Sequence, residues 1–206
     1  MIALYDSLGS LVQGVEEMGN LSPEYWQKQC HKVPSAPSVD RVSWLLNRLA
    51  GKTIVHIGCH GPLHKALLKV CAKAYGIDHV PASYPNYCEM DIEGEELPRY
   101  GDVEVVLLAE VLEHMTSPGV LLWQVRERYP GCEVIITCPN AFSLAGWQWI
   151  QRGIENVNTD HTFWPSWRTM TTLLTKCGYV IDQWCWHGGK PPTSEGLIFT
   201  CHGKDG

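Results

Sequence analysis

Val103-Glu104-Val105-Val106-Leu107-Leu108-Ala109-Glu110-Val111-Leu112-Glu113-His114-Met115 is the stretch on which the reading of this 206-residue chain turns. Its first half is an almost continuous apolar run with β-branched residues, the pattern of a strand buried on both faces in a parallel sheet. The chain then becomes acidic within one residue. Glu110, Glu113 and His114 stand at i, i+3 and i+4, so a helical turn starting at Glu110 would bring all three side chains out on one side. Open α/β sheets bind their ligands beyond the carboxyl ends of the strands. Two carboxylates and an imidazole at such an end make the candidate active site.

Outward from that strand, apolar strand-sized runs alternate with helical patterns. Thr53 to Ile57 reads as a strand, Gly58-Cys59-His60-Gly61-Pro62 as a loop, and Leu63 to Ala74 as a helix with Pro62 in its first turn. Tyr75 to Asp78 and Tyr87 to Ile92 read as two further strands. After the opening stretch come a helix from Ser117-Pro118, a strand over Cys132 to Cys138, a Trp-rich insertion over 141–165 and a helix from Pro165-Ser166 to Cys177. Tyr179 to Trp186 and Gly196 to Cys201 then form a hairpin across Gly188-Gly189-Lys190-Pro191-Pro192. The alternation predicts an α/β fold, a doubly wound sheet of seven strands with helices on both faces. It is mostly parallel, and the hairpin makes the last strand antiparallel.

Residues 1–38 read as a small helical cover, with a helix start at Ser22-Pro23-Glu24 and a linker at Ser35-Ala36-Pro37-Ser38. Val39, Val42, Leu45, Leu46 and Leu49 form a helical stripe stopped by Gly51. The expected organisation is this cover on a domain over 39–206, in one compact unit. Whether the cover lies on the sheet or over the ligand mouth stays open.

Composition narrows the class of function. A formal net charge of -6 offers no diffuse attraction for nucleic acid or an anionic membrane, so a small-molecule substrate is expected and nucleic acid is disfavoured. The nine cysteines are odd in number and lack a C-x-x-C pair, as in a reduced, cytoplasmic protein. No apolar run is long enough to span a membrane, and Met1 to Asn20 lacks the pattern of a signal peptide. Nothing in the sequence speaks to oligomeric state.

The ordered set Ile54-Val55-His56-Ile57-Gly58-Cys59-His60-Gly61, Tyr75-Gly76-Ile77-Asp78, Met90-Asp91-Ile92, Glu110-Val111-Leu112-Glu113-His114, Ile136-Thr137-Cys138-Pro139-Asn140 and Asp160-His161-Thr162-Phe163 resembles the class I S-adenosylmethionine-dependent methyltransferases. These are Rossmann-like enzymes, and the resemblance covers roughly residues 40 to 202. It implies S-adenosylmethionine as cofactor, with His56, Gly58, Gly61, Asp78, Asp91, Ile92 and Glu110 in its site. Asp78 would accept hydrogen bonds from the ribose hydroxyls, and Asp91-Ile92 would flank the adenine. The first motif departs from the family pattern, which has an acid where His56 stands and glycines where His60 and Pro62 stand. That acid commonly holds the cofactor's amino group.

A narrower resemblance, to the O-methyltransferases of ubiquinone biosynthesis and the small-RNA 2′-O-methyltransferases, rests on Glu-x-x-Glu-His followed by Asp-His. It implies a divalent ion, Mg²⁺, Mn²⁺ or Zn²⁺, held by Glu110, Glu113, His114 and His161. Glu110, His114 and His161 become the catalytic candidates. The plainer reading is a helix start whose acids favour the positive end of the helix dipole. His56, Cys59, His60 and His64 have the composition of a zinc site, although a glycine loop that has drifted is the favoured account. Trp147, Trp149, Trp164 and Trp167 read equally as an aromatic substrate wall and as packing for a lid. The alternative to O-methyl transfer is a methyltransferase-like protein that has lost catalysis and acts as a binding or scaffold subunit, a reading motivated by His56, His60 and Pro62 in the cofactor loop.

Overall fold

The computed structural model describes residues 32–204. The helix start at Ser22 and most of the cover expected over 1–38 lie outside those residues. The opening stretch forms the strand β5 (Val105–Ala109), and all five of its residues are buried. Val105 and Leu107 join one apolar cluster, while Val106 and Leu108 join the other. Alternation along one strand therefore feeds two cores, as the absence of any polar position in the run implies.

Around β5 stand β1 (Ser38–Val39), β2 (Thr53–Ile57), β3 (Lys73–Asp78), β4 (Tyr87–Glu89), β6 (Glu133–Pro139), β7 (Tyr179–His187) and β8 (Gly196–Gly203). The sheet order is β1-β7-β8-β6-β5-β2-β3-β4. β5 pairs in parallel with both β2 and β6, whereas β8 is antiparallel to β6 and to β7. The helices α1 (Arg41–Leu49) and α2 (Pro62–Val70) cover one face through Leu45, Leu49 and Leu67. On the other face α3 (Pro118–Arg128) and α5 (Trp167–Lys176) bring Leu121, Leu122, Val125, Met170 and Leu174. α4 (Leu144–Ile150) lies in the insertion, and its Ser143 side chain accepts from the Gly146 N–H.

The sheet has eight strands rather than seven. The extra one is the two-residue β1, in register with Trp186 and His187 of β7. It displaces the start of the following helix because Asp40 caps it, its carboxylate accepting from the Ser43 N–H at 2.8 Å. α2 stops at Val70 rather than Ala74, since Lys73 and Ala74 pair with Thr53 and Ile54. β4 stops at Glu89, ahead of a turn in which the Asp91 carboxylate accepts from the Glu93 N–H.

Chain order reverses between β5 and β2, which makes their carboxyl ends the switch point of the sheet. The functional residues collect there.

Candidate active site at the switch point

The loops leaving β2 and β5 meet at Gly58. Its φ is +70°, and a Cβ at that position would lie 2.4 Å from Val111 Cγ2. The glycine is therefore required by close approach of the two loops, in addition to any ligand. Above them lies a cavity of about 570 Å³ whose wall includes Gly58, Asp78, Ile92, Glu110 and His114. That size falls within the ~300–1,000 Å³ usual for small-molecule sites.

Asp78 ends β3 and is 6% exposed. One carboxylate oxygen accepts from the His60 N–H at 2.8 Å and the other from the Val80 N–H at 3.0 Å. It thus ties the β2 loop to its own turn; Oδ2 keeps a second acceptor position, and Oδ1 also has the exposed His79 Nδ1 at 3.4 Å, which a ligand can displace. Those positions suit a diol, and Ile92 and Val80 supply apolar wall beside it. The Asp91 carboxylate, by contrast, caps its own turn through Glu93. Gly61 is the N-cap of α2 at φ +125°, with open space around it.

His56 does not reach the cavity. It is inward on β2, 2% exposed, with its Nδ1 3.2 Å from Nδ1 of the buried His64 on α2. Strand parity explains this correction: Val55 and Ile57 face the α3/α5 core, so His56 faces the other way. Burial, reinforced by His64, lowers its pKa to about 3, so the pair is uncharged. Cys59 is buried as well, and burial with the nearby Asp78 charge pushes its thiol up to about 12. This is a sealed thiol and two neutral imidazoles, and the eight cysteines of the described residues are free.

Glu110 is where the helical reading fails. Its φ is +56°, and the regular turn that follows is a short 3-10 helix over Leu112–His114. Glu110 and Glu113 therefore leave the backbone in different directions. The Glu110 Oε1 accepts from Thr137 Oγ1 at 2.7 Å and lies 2.7 Å from Arg41 Nη1, with His187 Nε2 at 4.0 Å.

Glu113, His114 and His161 do come together, each offering a ligand atom within 4.8 Å of the others. Glu113 is 1% exposed, and its Oε2 is buried without a partner. Burial, and then the Glu110 charge, raises its pKa to about 8. The His114 Nδ1 lies 3.0 Å from Asp160 Oδ2, which fixes that nitrogen as the protonated one and leaves Nε2 to ligate. His161 stands edge-on to His114 at 4.6 Å between ring centroids, and burial lowers its pKa. The Glu113 carbonyl accepts from the Thr162 N–H at 2.7 Å, which holds the 158–163 loop in place. An orphaned buried carboxylate oxygen facing two imidazoles fits a divalent cation.

His161 also borders a small polar pocket with Asn140, Asn158 and Trp164, and Trp164 continues into an apolar groove with Phe142, Trp147 and Ile150. Trp167 instead packs on Trp184 at 5.7 Å.

No protein-family model matches the sequence, and no curated protein matches it. Solved structures do match in shape. The fold is that of class I S-adenosylmethionine-dependent methyltransferases. The small RNA methyltransferase HEN1 superposes with a TM-score of 0.66 at 18% identity, over 86% of this chain and 27% of that one. This chain thus spans about a quarter of HEN1's length. The N-methyltransferase NodS from Bradyrhizobium japonicum WM9, in complex with S-adenosyl-L-homocysteine, matches at 0.55 and 17% identity over 79% of this chain and 85% of its own. Magnesium protoporphyrin IX methyltransferase (ChlM) from Synechocystis PCC 6803, with the same ligand bound, matches at 0.57 and 16% over 78% and 79%. These neighbours act on varied substrates. Among the described residues no helix is long and apolar enough to cross a membrane.

Arg41 and His187 carried no signal in sequence, and Asp160 stood in the Asp-His motif with no role given to it. Each acts on a partner from another element, and only folding brings them together.

Proposed function

We propose that this protein transfers a methyl group from S-adenosylmethionine to a hydroxyl of a small sugar, diol or catechol, with a divalent cation held by Glu113, His114 and His161. The observation that carries the reading is the convergence of those three residues, with His114 on the wall of the switch-point cavity and the buried Glu113 Oε2 unpartnered. One carboxylate and two imidazoles suit Mn²⁺ or Zn²⁺ better than Mg²⁺. When bound, the cation would lower the pKa of an acceptor hydroxyl, and the cofactor would supply the methyl group.

The chain's own residues divide the work. Asp78 receives the ribose diol and Ile92 lies against the adenine. Asp160 orients His114. Without the cation, His161, whose pKa burial lowers, would instead accept the proton from the acceptor hydroxyl. Positioning dominates such an in-line transfer.

Calorimetric titration with S-adenosylmethionine, with and without Mn²⁺, tests the reading. Binding is expected in both, and no heat in either overturns it. For the cation alone, activity that survives chelation in protein free of metal removes that clause. A second reading, a methyltransferase-like binding or scaffold subunit without turnover, is favoured by the sealed His56 where the family carries an acid. Turnover of any acceptor dismisses it.

A further inference from the structure

We propose that Arg41 and Glu110 form the receptor for the amino-acid end of the cofactor, replacing the acid that position 56 lacks. The inference rests on the S-adenosylmethionine reading above and assigns its methionine subsite.

The methionine end of that cofactor is a zwitterion, with an α-ammonium and an α-carboxylate on one carbon. A site for it needs an anion and a cation side by side. His56 supplies neither, since it is buried, neutral and paired with His64. Among the described residues no lysine or arginine, Arg41 included, lines the cavity, whereas Glu110 does. Arg41, in the first turn of α1, lies against Glu110 at 2.7 Å.

The way the pair is held leaves it half free. The close contacts of Glu110 from Arg41, Thr137 and His187 all fall on Oε1. Among the described residues, Oε2 has no hydrogen-bond partner, and the side chain is 32% exposed. Arg41 directs Nη1 to Glu110 and Thr137, and its Nε and Nη2 likewise have no hydrogen-bond partner among the described residues. So a fixed carboxylate presents one open oxygen and a fixed guanidinium presents open donors.

The positive φ of Glu110 belongs to this arrangement. A left-handed glutamate is uncommon and is disfavoured relative to the right-handed form. Here it accompanies a carboxylate that meets Arg41 and Thr137. Thr137 on β6 and the packed His187 on β7 hold it from behind, and a Cβ on Gly196 would lie 2.2 Å from the His187 ring. Glu110 thereby serves the cofactor, while Glu113 remains with His114 and His161.

Binding constants for three nucleosides decide the matter, without need of turnover. S-adenosylhomocysteine carries both charges, decarboxylated S-adenosylhomocysteine lacks the carboxylate, and 5′-methylthioadenosine lacks the whole amino-acid end. On the wild-type chain, removal of each charged contact is expected to weaken binding about tenfold to a hundredfold. Arg41→Gln should weaken S-adenosylhomocysteine by that factor and leave the other two within about twofold. Glu110→Gln should weaken S-adenosylhomocysteine and the decarboxylated compound alike, and spare 5′-methylthioadenosine. Equal binding of all three to wild type, or an equal loss of all three in either variant, overturns the assignment and leaves the cofactor reading standing. Failure of every nucleoside to bind the wild-type chain overturns both. The wild-type comparison uses no variant, so a misfolded substitution does not blunt it.

Discussion

Two pairs of histidines sit within one loop's reach of the same sheet end and have opposite characters. His56 and His64 face each other under α2, both at or below 2% exposure, with no carboxylate bonded to either. His114, on the cavity wall, and His161 stand beside Glu113, with Asp160 on the His114 ring. The first pair is a neutral polar plug in an apolar layer. The second is the proposed ligand set. Residue type and ring separation are similar, 5.3 and 4.6 Å between centroids, so the difference comes from the acids and from access to solvent: an imidazole without an anion in a dry core stays neutral, and one beside carboxylates at an opening can hold a cation.

The sharpest test separates the pairs by metal. His161→Ala should lose Mn²⁺ affinity by more than the about 10–100-fold that removal of an outer-shell partner causes. His64→Ala should leave it unchanged, and a drop there, read by calorimetry, would move the metal to the buried pair. Stability should respond the other way. His56→Ala orphans a buried His64 nitrogen and opens a cavity, lowering unfolding free energy by about 2–4 kcal/mol in urea titration. Replacing both with leucine removes the orphan, so the double variant should be more stable than the single one.

How much of this contrast was legible beforehand follows from where each constraint lies. β5 was readable because one run of five apolar residues states its own burial on both faces. The family resemblance put His56 in the cofactor site, and the strand turns it away, because Val55 and Ile57 take the opposite face. Glu110 was not readable. Nothing in Glu110-Val111-Leu112-Glu113-His114 signals that its first residue adopts φ +56°, because the residues that hold it there come from α1, β6 and β7. A helical i, i+3, i+4 reading assumes regular backbone, and tertiary ion pairing displaced it. The three-residue cluster survived since Glu113 and His114 lie within one turn, and the Thr162 bond to Glu113 delivers His161.

The smallest expected effect concerns pH, and its sign distinguishes a plug from a site. The native His56 holds its pKa near 3, against 6.5 in the open chain. Between those values the unfolded chain binds a proton that the native one refuses, so the contribution to stability is full above pH 6.5 and is lost as pH falls toward 3. One such group changes unfolding free energy by about 1.4 kcal/mol per pH unit inside that window. His64 is shifted in the same direction by burial and steepens the slope. Other titrating groups contribute equally to the wild type and to the His56→Leu/His64→Leu variant, so the difference between their stability curves isolates the pair. That difference should be flat from pH 7 to 8 and should grow in the variant's favour below 6.5. A difference that stays level down to pH 4.5 would mean that the pair is solvated and chargeable, and the contrast between sealed and open histidines would fall with it.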